Sequence, residues 1–403
     1  MKAELKRRLA TTWNDDKLVV AALGASEIIS YGTLYYCVAA VANAVARDLA
    51  ITDEWIFACF SFALFASSLI SFIGGRLMDR YGAGKMMRIA SVVGAASLGI
   101  AAVSWNAVVF AIALFGMQIA SAFLFYEAAF VFLVQRDARH AKRQITLLTL
   151  IVGFSSTLFW PLTSFLLTLI SWRQIFWIYA GSNVLVALPL ISWALRTRSV
   201  GVGDQKDTHD SQACLQSSTK VTDLVLITGG FSFTAFVFSA FLGQMIPILS
   251  SIGSSLEGAM ISALFGPSQV LVPLFAASII EKVAAIRLTI VSCALLSAAT
   301  LTIALASGSV LGVTAFVVLL GFSSGLNSIC RGTLPLSIFG RGGYGGRVGL
   351  ITGFRLSFAS FAPLFFSSIQ SEFGIAAALA SLVVCAVTGM LAFMLVSVRS
   401  RRA

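Results

Sequence analysis

Apolar residues follow one another along this chain in runs of about 20 positions, the length that carries a helix across a ~30 Å hydrocarbon core. Each run ends at a short cluster of charge, glycine or amide. The runs fall at 18–45, 55–75, 89–104, 107–135, 145–170 and 175–195, then at 223–249, 258–280, 288–306, 310–338, 348–369 and 375–396. Barrel strands would instead alternate apolar and polar residues with a period of two. The pattern predicts an all-α membrane protein of twelve transmembrane helices, and the longer runs imply tilt or extension into water. Between the sixth and seventh runs lies a polar stretch with Gly201, Gly203, Asp204, Lys206, Asp207, His209 and Asp210. Such a stretch lacks the apolar surface to fold alone. The expected organisation is an N-terminal six-helix bundle over 1–195, a cytoplasmic linker over 196–222 and a C-terminal six-helix bundle over 223–403.

Composition excludes a soluble protein. Hydrophobic residues make up 58% of the chain and charged ones only 11%, with a mean hydropathy of +0.92; a soluble domain carries roughly 25% charged residues. The net charge of +11 does not point to nucleic acid, because the basic residues sit in short segments between apolar runs. Twenty-four of the 28 lysines and arginines fall on the side shared by both termini and the even-to-odd loops, against Arg47 and Arg173 on the other. The positive-inside rule then puts both termini in the cytoplasm and the protein in the inner membrane. Ala42-Asn43-Ala44 looks like a signal cleavage site, but the run before it exceeds the ~7–15 residues of a signal's apolar core and contains Glu27. It reads as an uncleaved first helix. The six cysteines are scattered, with no zinc or redox spacing.

The two halves also repeat. Phe159-Trp160-Pro161-Leu162 recurs 202 residues later as Phe361-Ala362-Pro363-Leu364, and Asp79-Arg80 has a counterpart in Glu281-Lys282 at the same offset. Parallel repeats with a site at their interface are one plan of secondary transporters. Residues 74–88 carry Gly75, Leu77, Asp79, Arg80, Gly82 and Lys85 in a charged turn between the second and third runs. This string resembles the signature loop between helices 2 and 3 of the major facilitator superfamily, although an Ala83-Gly84 pair stands where that family usually has another basic residue. Tyr31-Gly32-Thr33-Leu34-Tyr35-Tyr36, Tyr126-Glu127-Ala128-Ala129-Phe130, Arg331-Gly332-Thr333 and Phe339-Gly340-Arg341 are similar to a bacterial branch near the monocarboxylate-type carriers. The chain departs from the proton-coupled drug exporters of the family: it lacks their helix-4 arginine near Phe115–Gln118 and their Gly-Pro-x-x-Gly-Gly signature around Trp160-Pro161.

Enzymatic chemistry finds no support. Gly321-Phe322-Ser323-Ser324-Gly325 fits a nucleophile-elbow string, but it lies inside an apolar run, and the two histidines, His140 and His209, lie in loops. Small residues at that spacing mark tight helix packing. No phosphate-binding loop and no clustered metal-ligand set is present, so neither a catalytic residue, a metal nor a cofactor is expected. The informative residues are charges within the apolar runs, where each costs roughly 2.5–3.5 kcal/mol on insertion scales. Glu27 lies about ten residues, or ~15 Å, beyond Lys17 and begins a stripe with Tyr31 and Tyr35 on one helix face. Glu127, Arg331 and Arg355 sit nearer the cytoplasmic side; an ion pair among them serves either as a static brace or as a gate.

In the superfamily this chain resembles, helices 1, 4, 7 and 10 line the cavity. The resemblance with the residues above therefore gives Glu27, Tyr31, Tyr35, Tyr126, Gln244 and Asn327 as substrate-binding candidates. Asp79, Arg80, Glu127, Arg331 and Arg355 are the gating or coupling candidates. Gln118 lies nine residues from Glu127, about half a turn away, so both cannot face one cavity unless the fourth helix is distorted. All seven prolines fall in or beside predicted helices, as marks of kinks. The expected partners are a small-molecule substrate, a coupling proton or ion and the lipid bilayer, with no nucleic acid, and the expected state is a monomer. The first functional reading is a secondary transporter that takes up a neutral aromatic or heterocyclic solute, such as the vitamin riboflavin. The alternatives are an organic-anion or monocarboxylate carrier, a metalloid or drug exporter, and a nontransporting membrane sensor.

Overall fold

The computed structural model describes residues 2–197, 217–252, 261, 264–305 and 309–400, with side chains over 16–197, 221–242, 261, 264–272, 274, 283–305 and 309–400. It is helical throughout, with no strand among the described residues. Two compact units divide the chain: the first is 1–220 with 341–346, the second 221–340 with 347–403. In the first unit six helices are long and apolar enough to cross a membrane: α1 (Asp16–Leu49), α2 (Asp53–Tyr81), α3 (Ala83–Ala102), α4 (Ala107–Arg136), α5 (Ala141–Leu169) and α6 (Trp172–Arg196). α7 (Ser217–Ile252) starts in the last residues of the first unit and runs on in the second, which also holds α8 (Phe265–Lys282), α9 (Ala285–Leu305) and α10 (Val310–Phe339). The stretch Tyr344–Ser400 follows, broken at Gly374 (φ 83°) into α11 (344–373) and α12 (375–400). Twelve helices are thus found among the described residues, in line with the twelve apolar runs.

Side-chain caps set several helix starts. The side chains of Thr52, Asn106 and Ser309 each accept an amide of the first turn, and Ser171 with Gln174 forms a capping box at α6. The charged string at 74–88 is mostly helix rather than turn: α2 runs to Tyr81, and Gly82 alone, at φ 86°, breaks it before α3. Charge does not end a helix that is leaving hydrocarbon; a positive φ does. α7 begins at Ser217. Residues 198–216, including Cys214 and His209, lie outside the described residues.

In the second unit Phe241 meets Phe316 edge-on at 4.9 Å and Phe231 meets Phe393 at 5.0 Å within two aromatic-rich cores. Gly321 has no room for a Cβ against Ser268 and the Phe265 carbonyl, while Ser292 and Ser323 exchange hydrogen bonds at 2.9 and 2.7 Å. The Gly321–Gly325 string therefore serves close packing of α8, α9 and α10.

Candidate functional site

The most irregular backbone of the first unit lies in the interiors of its helices. In α1 residues Gly32–Tyr36 form a π turn, in which the Cys37 amide reaches back five residues to the Gly32 carbonyl. In α6 Asn183–Ala187 form a second π turn. In α4 the helix stops at Ser121 and restarts at Tyr126, leaving 122–125 unwound; α5 breaks similarly at 153–154. No proline lies in or beside the breaks in α1 and α4, whereas Pro161, Pro335 and Pro363 sit inside continuous helices. The breaks in α1 and α4 thus form without proline, whereas Pro189 stands two residues beyond the α6 π turn.

These irregularities gather an aromatic cluster. Tyr31 stacks on Phe125, in the α4 break, with centroids 3.7 Å apart and planes 13° from parallel. Tyr126 lies 5.2 Å from Tyr31 and stacks on Phe130. Tyr35 also reaches Phe125, edge-on at 6.4 Å, and meets Phe60 at 5.4 Å, while Tyr36 meets Trp160 at 5.7 Å. One turn before Tyr31, Glu27 is fully buried, and neither carboxylate oxygen has a hydrogen-bond partner. Glu127 follows Tyr126 in the first turn of the restarted α4. The structure therefore brings Glu27, Tyr31, Tyr35, Tyr126 and Glu127 to one part of the first unit.

The remaining candidates separate. The Gln118 amide donates to the Leu34 carbonyl in the α1 π turn at 2.7 Å. The fourth helix is broken at 122–125, between Gln118 and Glu127, so an ideal-helix angle between the two does not apply. Asn327 is buried in α10, and Arg331 there donates to Ser328 Oγ at 3.3 Å. Arg355 is half-buried in α11. The side chain of Gln244 lies outside the described residues. Asn183 carried no sequence signal, yet it donates to Thr33 Oγ1 at 2.8 Å and joins the two π turns. An asparagine inside an apolar run was the only hint available.

The signature string builds a hydrogen-bonded corner. The Asp79 carboxylate accepts the amides of Gly345 and Gly346 at 2.9 and 2.7 Å, in the first turn of the helix that starts at Tyr344. A Cβ on Gly345 would crowd Asp79 and the Gly75 carbonyl. Gln135 clamps the Gly82 turn, donating to the Met78 carbonyl and accepting from the Ala83 amide, both at 2.9 Å. Arg341 donates to the Gln135 carbonyl at 2.8 Å. Arg80 is exposed and lies over the Tyr81 ring at 5.3 Å. Replacing Asp79 by asparagine removes one acceptor and the charge at that helix start, at a cost of about 1 kcal/mol. The expected result is a severalfold slower transport rate in liposomes with ligand affinity retained; equal rates would reduce the corner to a topological anchor.

Nearby, Arg136 donates to the Ala194 and Thr197 carbonyls at the end of α6 and pairs with Asp16 at 3.2 Å. Burial pushes the Asp137 carboxyl up, but hydrogen bonds from His140 and from the Arg139 amide outweigh it and leave the group below its ordinary range. The structure corrects one expectation here: Asp16, Asp137 and His140 do form a cluster, with one ligand atom each within 4.8 Å. Its members already pair with Arg136 or each other, and Lys17 and Arg143 line the adjoining cleft. The arrangement is an ion-pair network among cations.

Comparison with known proteins agrees with this architecture. A family model described as the Major Facilitator Superfamily matches residues 23–363. No curated protein sequence matches the chain. Among solved structures, the human organic anion transporter MFSD10 (TETRAN) superposes with a TM-score of 0.72 at 14% identity, covering 94% of this chain and 99% of its own. The transporter FucP in its outward conformation gives 0.71 at 15%, covering 93% and 98%. The proton:xylose symporter XylE bound to 6-bromo-6-deoxy-D-glucose gives 0.69 at 12%, covering 95% of each chain. At these identities the likeness speaks for the fold, and the match over residues 23–363 for the family: the chain belongs to the Major Facilitator Superfamily and is a multi-pass membrane transporter.

Proposed function

We propose that this transporter imports a neutral, flat, hydrogen-bonding solute across the inner membrane, with both termini cytoplasmic, and that Glu27 carries a coupling proton. The solute class is an aromatic or heterocyclic metabolite, with riboflavin as the concrete candidate. The observation that carries the reading is Glu27, fully buried with both oxygens unpartnered, one turn from the Tyr31–Phe125 stack. An ionised carboxylate without partners is costly in an apolar interior, and such a group takes up a proton instead. Tyrosine faces offer stacking surface with a polar handle, which suits a planar ring system that hydrogen-bonds at its edge. A proton as coupling ion also accords with the proton:xylose symporter among the structural relatives.

The test is uptake by the purified protein in liposomes with the outside one pH unit more acidic than the inside. Radiolabelled riboflavin is compared with benzoate, an organic anion. The expected result is riboflavin accumulation that a protonophore collapses. Accumulation of benzoate alone, lost in Arg331→Gln, would overturn the reading in favour of an organic-anion carrier. The gating roles of Glu127, Arg331 and Arg355 belong to the same proposal: Glu127→Gln and Arg331→Gln each slow transport, and the charge-exchanged double variant recovers part of it. A double variant as inactive as the singles would show that the two charges act separately.

A further inference from the structure

We infer that Gln118 and Asn183 are positioning residues that hold the α1 π turn and so set the angle between the Glu27–Tyr31 and Tyr35–Tyr36 segments of the aromatic wall. The inference rests on the proposed site and adds to it the residues that shape its walls. A helix that closes one turn over five residues and then returns to four leaves carbonyls that backbone amides pass over. In hydrocarbon these must be satisfied by side chains. Here the Thr33 carbonyl accepts Cys37 Sγ at 2.8 Å, and the Leu34 carbonyl accepts Gln118 Nε2 at 2.7 Å. Gln118 is fully buried, with the Ser121 hydroxyl, which donates to the Gln118 main-chain carbonyl at 2.7 Å, 3.4 Å from its Oε1.

The other side of the turn is held from α6. The Asn183 side chain, also fully buried, donates to Thr33 Oγ1 and to the Tyr179 carbonyl at 2.8 and 2.9 Å, while the Asn183 main-chain carbonyl accepts Ser91 Oγ at 3.1 Å. Thr33 passes the bond on to the Ile29 carbonyl at 2.8 Å. Relaxing the π turn to an α turn in place would rotate everything beyond it by roughly 100°, the angle of one helical residue. Tyr35 and Tyr36 would then leave Phe125, Phe60 and Trp160, their present neighbours. Since α4 supplies both Gln118 and Phe125, one helix fixes the angle and one ring of the wall.

The experiment needs no substrate. Cys37 is fully buried with its sulfur inside the turn, so a full-length protein that keeps Cys37 alone reports the turn's integrity by its N-ethylmaleimide labelling rate in liposomes. Gln118→Met, which keeps size and removes the donor, is expected to speed labelling by about tenfold, the equilibrium effect of a lost buried hydrogen bond. Deleting Leu34 turns the five-residue turn into a four-residue one without rotating its flanks. In that background Gln118→Met is expected to change labelling by less than about twofold. The same acceleration in both backgrounds, or none in the first, overturns the inference, because Gln118 would then act by packing alone. If the deletion variant does not fold, amide hydrogen exchange decides: Gln118→Met must lower protection at Cys37 and Val38 and spare 19–25, and equal protection overturns the inference. With riboflavin as the probe, KM is expected to rise about tenfold with the maximal rate within about twofold. A protein that carries no riboflavin but labels as described refutes the solute assignment and leaves the positioning role standing.

Discussion

Glu27→Gln is expected to abolish uphill uptake while leaving downhill exchange of the same solute in place. Glutamine keeps the volume and a hydrogen-bonding edge but has no proton to exchange. With one proton carried per solute, a pH difference of one unit supplies about 1.4 kcal/mol, enough to concentrate the solute roughly tenfold. In Glu27→Gln that ratio should fall to about one, whatever the gradient. Counterflow of labelled against unlabelled solute should continue, since it needs no proton. A variant that still accumulates solute would assign the coupling to another group, with Glu127, next to Tyr126 of the aromatic cluster, the first to test. Full burial of Glu27 is what makes the experiment decisive, as no hydrogen-bonded or ionic network is broken along with the carboxylate.

Gly32→Ala is expected to disable transport through the π turn and to be repaired by a change in a different helix. A Cβ built on Gly32 overlaps the ring of Phe159 in α5, so the ring, itself packed against Tyr179 at 5.8 Å, has to move or the turn has to open. Overpacking of this kind costs about 1–3 kcal/mol. The single variant should give a lower melting temperature in detergent and severely reduced uptake. Phe159→Leu in the same chain should restore most of both by returning the space. If Gly32→Ala alone is stable and active, Gly32 is not needed for close approach and the turn is more adaptable than its packing implies.

Much of the fold was legible because hydrocarbon leaves little choice. A backbone that must satisfy its own hydrogen bonds while crossing about 30 Å becomes a helix of about 20 apolar residues, and charge collects where it leaves. Runs, caps and the break near residue 370 follow from that. The corner at Asp79 was legible as a charged glycine-rich string, but its partners Gly345 and Gly346 lie more than 260 residues later and carry no signal of their own. Arg136 counted among the basic residues that set topology and Gln135 gave no signal, yet both hold helix ends together.

By itself, then, the sequence determined the number and spacing of the helices, the buried carboxyl at Glu27 and the tyrosines placed every fourth residue after it. Local spacing suffices for these, because a helix converts sequence separation directly into height and angle. Only the tertiary structure decided where that conversion fails: the π turns at Gly32–Tyr36 and Asn183–Ala187 and the unwound residues 122–125. An irregular turn persists in hydrocarbon only if side chains satisfy the backbone groups it leaves over; Cys37 does so from within α1, but Gln118, and Asn183 through the Thr33 hydroxyl, are brought there by packing between distant segments rather than by neighbours in the chain.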